Sequence, residues 1–199
     1  MPRTVTDRAG ARAALGIAAE ETVVLVFGGS LGARSINLAA VEGLAGAPYR
    51  VLHVAGRRDF AELAAPDERY LLRDYITPFG SALAAADLAV ARSGGSVFEL
   101  AQYGLPAVLI PYPHASADHQ TTNARWMADA GAAVVVRDAE LTARGLRGEV
   151  DAIALDPERL RAMAAASAAL ARPDAAREIA AEVLAAAQET GRGARAPRP

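Results

Sequence analysis

Along the chain, five consecutive apolar residues, Val23-Val24-Leu25-Val26-Phe27, form the first clear pattern. An unbroken, largely β-branched run of this length predicts a strand buried on both faces, as in a parallel sheet. From Ala33 onward the period changes. Ile36, Ala40, Val41 and Leu44 recur at helical spacing while Arg34, Asn37 and Glu42 fall mostly elsewhere on the wheel, which predicts a helix packed on a sheet. The alternation continues, with strands expected over residues 51–55, 70–75, 88–91, 107–110 and 132–136, and helices over 57–65, 81–86, 96–103 and 118–130. Before the first strand, Thr6 and Asp7 can cap a short helix running through Leu15 and closed by Gly16. After the last strand, helices are expected over 158–170 and 174–188, broken at Pro173 because proline cannot continue a helix.

Six strands alternating with helices at this spacing require right-handed crossovers. They predict an α/β domain with a Rossmann-like, doubly wound, parallel sheet over residues 1–189. Residues 190–199, rich in Gly, Pro, Ala and Arg, read as a disordered tail.

Composition narrows the chemistry. In 199 residues, 52% are hydrophobic, so a sizeable core can be buried, and the formal charge of -2 is spread over interspersed acids and bases. No basic stripe points to nucleic acid. With no cysteine, the chain has no disulfide frame, thiolate metal site or cysteine nucleophile, which fits a reducing cytoplasm. The first residues carry no signal-peptide core and the longest apolar runs fall far short of a membrane span, so a soluble cytoplasmic chain without a transmembrane segment is expected. All non-histidine positive charge is arginine.

In open α/β sheets, ligands bind beyond the carboxyl ends of the strands, so four post-strand segments are candidates. Gly28-Gly29-Ser30-Leu31-Gly32 leads straight into a helix, whose free N–H groups and positive dipole end suit phosphate. It matches neither the dinucleotide fingerprint nor the Walker pattern, and a plain strand-to-helix turn remains open. In Arg92-Ser93-Gly94-Gly95-Ser96-Val97-Phe98-Glu99 the acid can close a capping box with Ser96 or accept hydrogen bonds from a sugar diol. The loop after residue 110 holds Tyr112, His114, Asp118, His119, Gln120 and Asn123, dense in polar ligand groups. Its histidines lack zincin spacing and an evident third ligand, so a metal site is not expected; nor is there a serine-hydrolase elbow. In Asp74-Tyr75-Ile76-Thr77-Pro78-Phe79, proline frees backbone amides that could read a planar base, or Ile76 and Phe79 are simply core.

Together and in order, Gly28 to Arg34 with Asn37, Tyr75-Ile76, Arg92-Ser93-Gly94 with Glu99, Gly104-Leu105-Pro106, Gln120, Asn123-Ala124 and Gly131-Ala132-Ala133 resemble the C-terminal domain of glycosyltransferase family 28. This covers the inverting hexosyltransferases that add N-acetylglucosamine to the lipid-linked muramyl-pentapeptide of peptidoglycan. The resemblance implies the C-terminal half of a GT-B fold that binds UDP-N-acetylglucosamine as donor substrate, with no further cofactor and no metal. It implies that Gly29, Ser30 and Gly32 hold the diphosphate and that the Ile76 backbone reads uracil. Gly95 and Ser96 would then lie near the diphosphate and ribose, with Glu99 accepting from the ribose hydroxyls. His119 and Gln120 stand where the family commonly carries two glutamines facing the sugar. The segment from Ser93 to Glu99 is one residue shorter than the family pattern.

The resemblance also implies an N-terminal, acceptor-binding half that carries the general base and docks on the membrane, and this half is absent from the sequence. No residue of this chain is therefore expected to act as the base, and the chain alone is expected to be inactive. A partner chain could supply the missing half, which would put the protein at the inner face of the cell membrane. Two other readings stay open: a non-catalytic nucleotide-sugar-binding module, and the donor subunit of a split transferase with another lipid-linked acceptor. An epimerase on the same nucleotide sugar would need more acid/base carboxylates than Asp118 and Glu99.

Overall fold

The computed structural model describes residues 7–193, with side chains through residue 187. A short helix α1 (Arg8–Ala14), capped by the Asp7 carboxylate, leads to β1 (Val23–Phe27) and α2 (Arg34–Gly43). β2 (Arg50–Val54) and β3 (Tyr70–Arg73) follow, then α3 (Gly80–Ala85), β4 (Leu88–Ala91) and α4 (Ser96–Gln102). The second half runs β5 (Ala107–Leu109), α5 (His119–Asp129), β6 (Ala133–Val135), α6 (Ala143–Ala154), α7 (Pro157–Ala169) and α8 (Ala175–Gly193).

The strands form one sheet in the order β3-β2-β1-β4-β5-β6, every neighbouring pair parallel. Every residue of β1 is buried, as its apolar run requires: Val23, Leu25 and Phe27 face one layer, Val24 and Val26 the other. The first layer draws on α1, α3, α4 and α5 through Ala11, Leu83, Leu100 and Met127. The second draws on α2, α6 and α7 through Ile36, Leu146, Ile153 and Met163. The chain after β1 turns to one face and the chain after β4 to the other, so the strand order reverses between these two neighbours and a crevice opens at their carboxyl ends.

All six expected strands form, with slightly trimmed ends. Several details differ from expectation. Over 57–65 no α-helix forms, only a short 3₁₀ turn at Phe60–Glu62, because Asp59 is drawn into the interior. Helix α6 was not anticipated; its Leu146, Val150 and Ile153 recur at helical spacing, but Gly145 and Gly148 weaken the local signal. Asn37, expected on the polar side of α2, is fully buried. Helix α8 continues through Gly193, so residues 190–193 are helical where a disordered tail was expected. Thr6 and residues 194–199 lie outside the described residues.

A candidate nucleotide-binding cleft

The crevice at the β1/β4 switch point is an open cleft of about 760 Å³. Its floor is the turn of residues 28–33 and the start of α2. The α2 N-cap, Ala33, offers no side-chain hydrogen bond, so the first helical amides, from Arg34 to Ile36, are left to a ligand. A helix of this length presents the positive end of its dipole there.

Close backbone packing shapes the floor. Gly32 adopts a φ of +80°, and a Cβ there would fall 2.1 Å from the Ala55 carbonyl oxygen, just beyond β2. Gly56 faces it with φ +81°, and a Cβ on it would fall 2.4 Å from the Gly32 nitrogen. Only glycines allow the post-β1 turn and the post-β2 loop to meet this closely.

A buried polar chain fixes the same contact. The Asn37 amide donates to the Ala55 carbonyl and to Asp59 Oδ2, both at 2.9 Å. Asn37 Oδ1 therefore accepts from His53 Nε2 at 3.0 Å, which leaves His53 Nδ1 to accept from the Tyr70 hydroxyl at 2.8 Å. This pattern requires a neutral His53, and burial pushes its pKa down to about 4. Tyr70 is shifted upward by burial. At the outer end, Arg58 Nε donates to Asp59 Oδ1 at 3.0 Å; that hydrogen bond chiefly, with charge and the Asn37 amide helping, holds the Asp59 carboxyl below its ordinary range.

The opposite wall comes from the loops after β4, β5 and β6. Arg92 pairs with Asp138 at 2.6 Å, donates to Ser35 Oγ at 2.9 Å and reaches the carbonyls of Ile110 and Pro111. The Ser93 hydroxyl donates to the Gln120 carbonyl at 2.7 Å, and the Asn123 amide to the Ser93 carbonyl at 3.0 Å, which ties α5 to the β4 loop. Gln120 Oε1 accepts from the Tyr112 amide at 3.0 Å, so its Nε2 is the free, donating end. Ala117 and Asp118, both at left-handed φ, turn the chain sharply into α5. Three guanidiniums, Arg34, Arg58 and Arg92, line the cleft with the carboxylate of Asp138, and each is ion-paired, with Glu62, Asp59 and Asp138 respectively. The uncapped amides and dipole at the start of α2 have the polarity that suits an anion. Among the described residues no group of three or more His, Asp or Glu is placed to hold a metal.

The family described as glycosyltransferase family 28 C-terminal domain matches residues 23–179, from β1 into α8 and across every wall of this cleft. The chain belongs to that family. Over 172 residues it is 44% identical to a Rubrobacter xylanophilus protein named UDP-N-acetylglucosamine--N-acetylmuramyl-(pentapeptide) pyrophosphoryl-undecaprenol N-acetylglucosamine transferase; the match covers 85% of this chain and 51% of the relative. A protein of the same name from Mycolicibacterium paratuberculosis is 42% identical over 198 residues, covering 96% of this chain and 47% of the relative. Among solved structures, MurG of Acinetobacter baumannii aligns with a TM-score of 0.71 and 28% identity over 88% of this chain and 52% of that one. The chain thus spans about half the length of the curated relatives it matches. No described helix is long and apolar enough to cross a membrane.

In this family 28 domain, Gly29, Ser30, Gly32, Gly95, Ser96 and Gln120 line the cleft, whereas Ile76, Glu99 and His119 do not. The Ile76 side chain packs on the core near Phe79, whose ring meets Phe27 edge-on at 5.0 Å, while the Ile76 N–H and C=O make no hydrogen bond to the described residues. Glu99 is exposed in the first turn of α4 and caps nothing, because the N-cap is Gly95 and Ser96 Oγ donates instead to the Arg92 carbonyl at 3.2 Å. The capping box does not form. His119 is exposed, and its Nδ1 donates to the Ser116 carbonyl at 2.8 Å.

Ser35, Arg58 and Asp138 also line the cleft, beyond the residues expected from the sequence. Asp138 was findable, since it follows the last strand on the same carboxyl edge as the other loops. Arg58 was hidden inside the helix expected over 57–65.

Proposed function

We propose that the cleft binds the diphosphate of UDP-N-acetylglucosamine and that the domain is the donor half of an inverting N-acetylglucosaminyltransferase acting on the lipid-linked muramyl-pentapeptide at the inner face of the cell membrane. The observation that carries this reading is the uncapped start of α2 facing an arginine-lined cleft at the switch point. Membership of family 28 and the names of the relatives support it. The Ser30 hydroxyl and the amides around Gly29 and Gly32 hold the diphosphate. The Ile76 backbone reads the uracil edge, Glu99 accepts from the ribose hydroxyls, and the free Gln120 Nε2 donates toward the sugar, with exposed His119 beside it. Gly95 and Ser96 close the wall near the diphosphate and ribose.

In this mechanism the acceptor hydroxyl displaces UDP directly at the anomeric carbon, with inversion. Negative charge grows on the departing diphosphate, where fixed amides and the helix dipole stabilise it more than they stabilise the ground state. The acceptor site and the base that takes the hydroxyl proton are assigned to a second half, in the same polypeptide or on a partner chain.

Thermal unfolding with and without UDP tests the reading. At a ligand concentration about 100 times Kd, binding adds ~2.7 kcal/mol, which raises the Tm of a domain this size by roughly 5–10 °C. No shift at millimolar UDP or UDP-N-acetylglucosamine would sink the proposal. Glu99→Ala should weaken UDP about tenfold while changing stability by less than ~0.5 kcal/mol, because an exposed, non-capping acid contributes little to the fold. Calorimetric titration alongside urea unfolding separates the two effects, and a stability loss matching the binding loss would return Glu99 to a structural role.

A further inference from the structure

The three guanidiniums that line the cleft are not equally available. Arg92 is committed to Asp138, Ser35 and two carbonyls. Arg34 spends Nη1, a terminal nitrogen, on Glu62 at 2.7 Å, and the same nitrogen lies 3.9 Å from Asp59. Arg58 spends only its Nε, on Asp59, and makes no other hydrogen bond to the described residues, so both terminal nitrogens of an exposed guanidinium are left over the cleft.

Its anchor is unusual for a loop. Asp59 is 3% exposed, and its second oxygen is held by Asn37, which in turn is fixed by His53 and Tyr70. A buried carboxylate with both oxygens occupied cannot swing, so a side chain bonded to it through Nε is aimed from one side while its fork remains free. The glycine contact between Gly32 and Gly56 brings this loop against the phosphate-cradling turn.

We propose that Arg58 is a diphosphate-binding residue of the cleft, a side-chain cation that adds to the amides of the glycine turn, and that Asp59 and Asn37 act as positioning residues that aim it. The inference rests on the nucleotide-diphosphate reading above. As the diphosphate gains charge in the transfer step, the fixed guanidinium neutralises part of it without reorganising, which is the work a divalent cation performs at other diphosphate sites.

The test is calorimetric or ligand-observed NMR titration of the full chain with UDP and, separately, uridine, which shares the base and ribose but carries no phosphate. Arg58→Met should weaken UDP by about tenfold and leave uridine within about twofold of the parent; it also takes the Nε donor from buried Asp59, so the melting temperature falls, and the retained uridine binding separates that loss from the loss of the phosphate contact. Arg58→Lys keeps the charge but loses the Nε anchor, so it should recover only part of the UDP affinity. Unchanged UDP binding in Arg58→Met, or equal losses for UDP and uridine, overturns the assignment; full recovery in Arg58→Lys overturns the aiming by Asp59. A parent chain that binds uridine but gains nothing from the phosphates fails the diphosphate reading itself and takes this one with it, a result visible before any variant is made.

Discussion

Gly32→Ala should destabilise the domain by about 3 kcal/mol or more, lowering its melting temperature by roughly 10 °C. Two costs combine. At φ +80° any L side chain is strained, by about 1–2 kcal/mol, and the new Cβ would sit 2.1 Å from the Ala55 carbonyl oxygen. Relief requires the post-β2 loop to move away, which pulls the Ala55 carbonyl from the Asn37 amide and disturbs the chain to His53. Gly29 is the internal control: at φ +93° it carries the same kind of strain, but a Cβ there meets nothing within 4 Å. Gly29→Ala should therefore cost only about 1–2 kcal/mol. Urea unfolding of the two variants measures the difference, and equal losses would mean that the post-β2 loop yields to the added methyl.

Arg12→Met should cost about 3–5 kcal/mol, although the residue lies far from the cleft. Arg12 is 3% exposed and nearly every donor it has is used. Its Nε donates to the Ala85 carbonyl, Nη1 to the carbonyls of Ala18, Ala19 and Glu21, and Nη2 to Asp87 at 2.7 Å. Asp87 also accepts from the Val23 amide at the start of β1, so one ion pair joins α1, the end of α3 and the entry to two central strands. Methionine fills the volume but takes away the only side-chain donor of the Ala85, Ala19 and Glu21 carbonyls, one donor of Ala18, and one of the two guanidiniums on Asp87, which keeps Arg8 and the Val23 amide; unsatisfied buried groups cost more than a pair contributes when made. By contrast, removing Arg137, exposed and paired only with Glu140, should change stability by less than ~1 kcal/mol. Chemical denaturation of both variants decides the point; a loss under ~1 kcal/mol for Arg12→Met would show that α1 is dispensable to the sheet.

Most of the architecture was legible in the chain because burial on both faces writes itself as uninterrupted apolar runs. Val23 to Phe27 read as a buried strand from its apolar, β-branched run, and the same holds for residues 88–91 and 107–109. Where the sequence misled, tertiary contacts overrode local pattern. The stretch over 57–65 has helical composition, but the pull of Asn37 and Arg58 on Asp59 fixes it as a loop with a single 3₁₀ turn. Asn37 itself looked like a surface residue, since a lone asparagine in a helix is usually solvated, and only the facing strand supplies the histidine that satisfies it.

The sequence by itself determined the strand-helix alternation, the glycine turn entering α2, and, through ordered motifs, the family. Those properties are local or linear: a period, a spacing, a residue type that a turn demands. Only the tertiary structure decided that Arg58 pairs through Nε alone, that Glu99 caps nothing, and that the post-β1 turn and post-β2 loop lock together through Gly32, Gly56 and Asn37. These depend on partners brought together from separate strands, and hydrogen-bond satisfaction across such distances leaves no period in the chain for a reader to find.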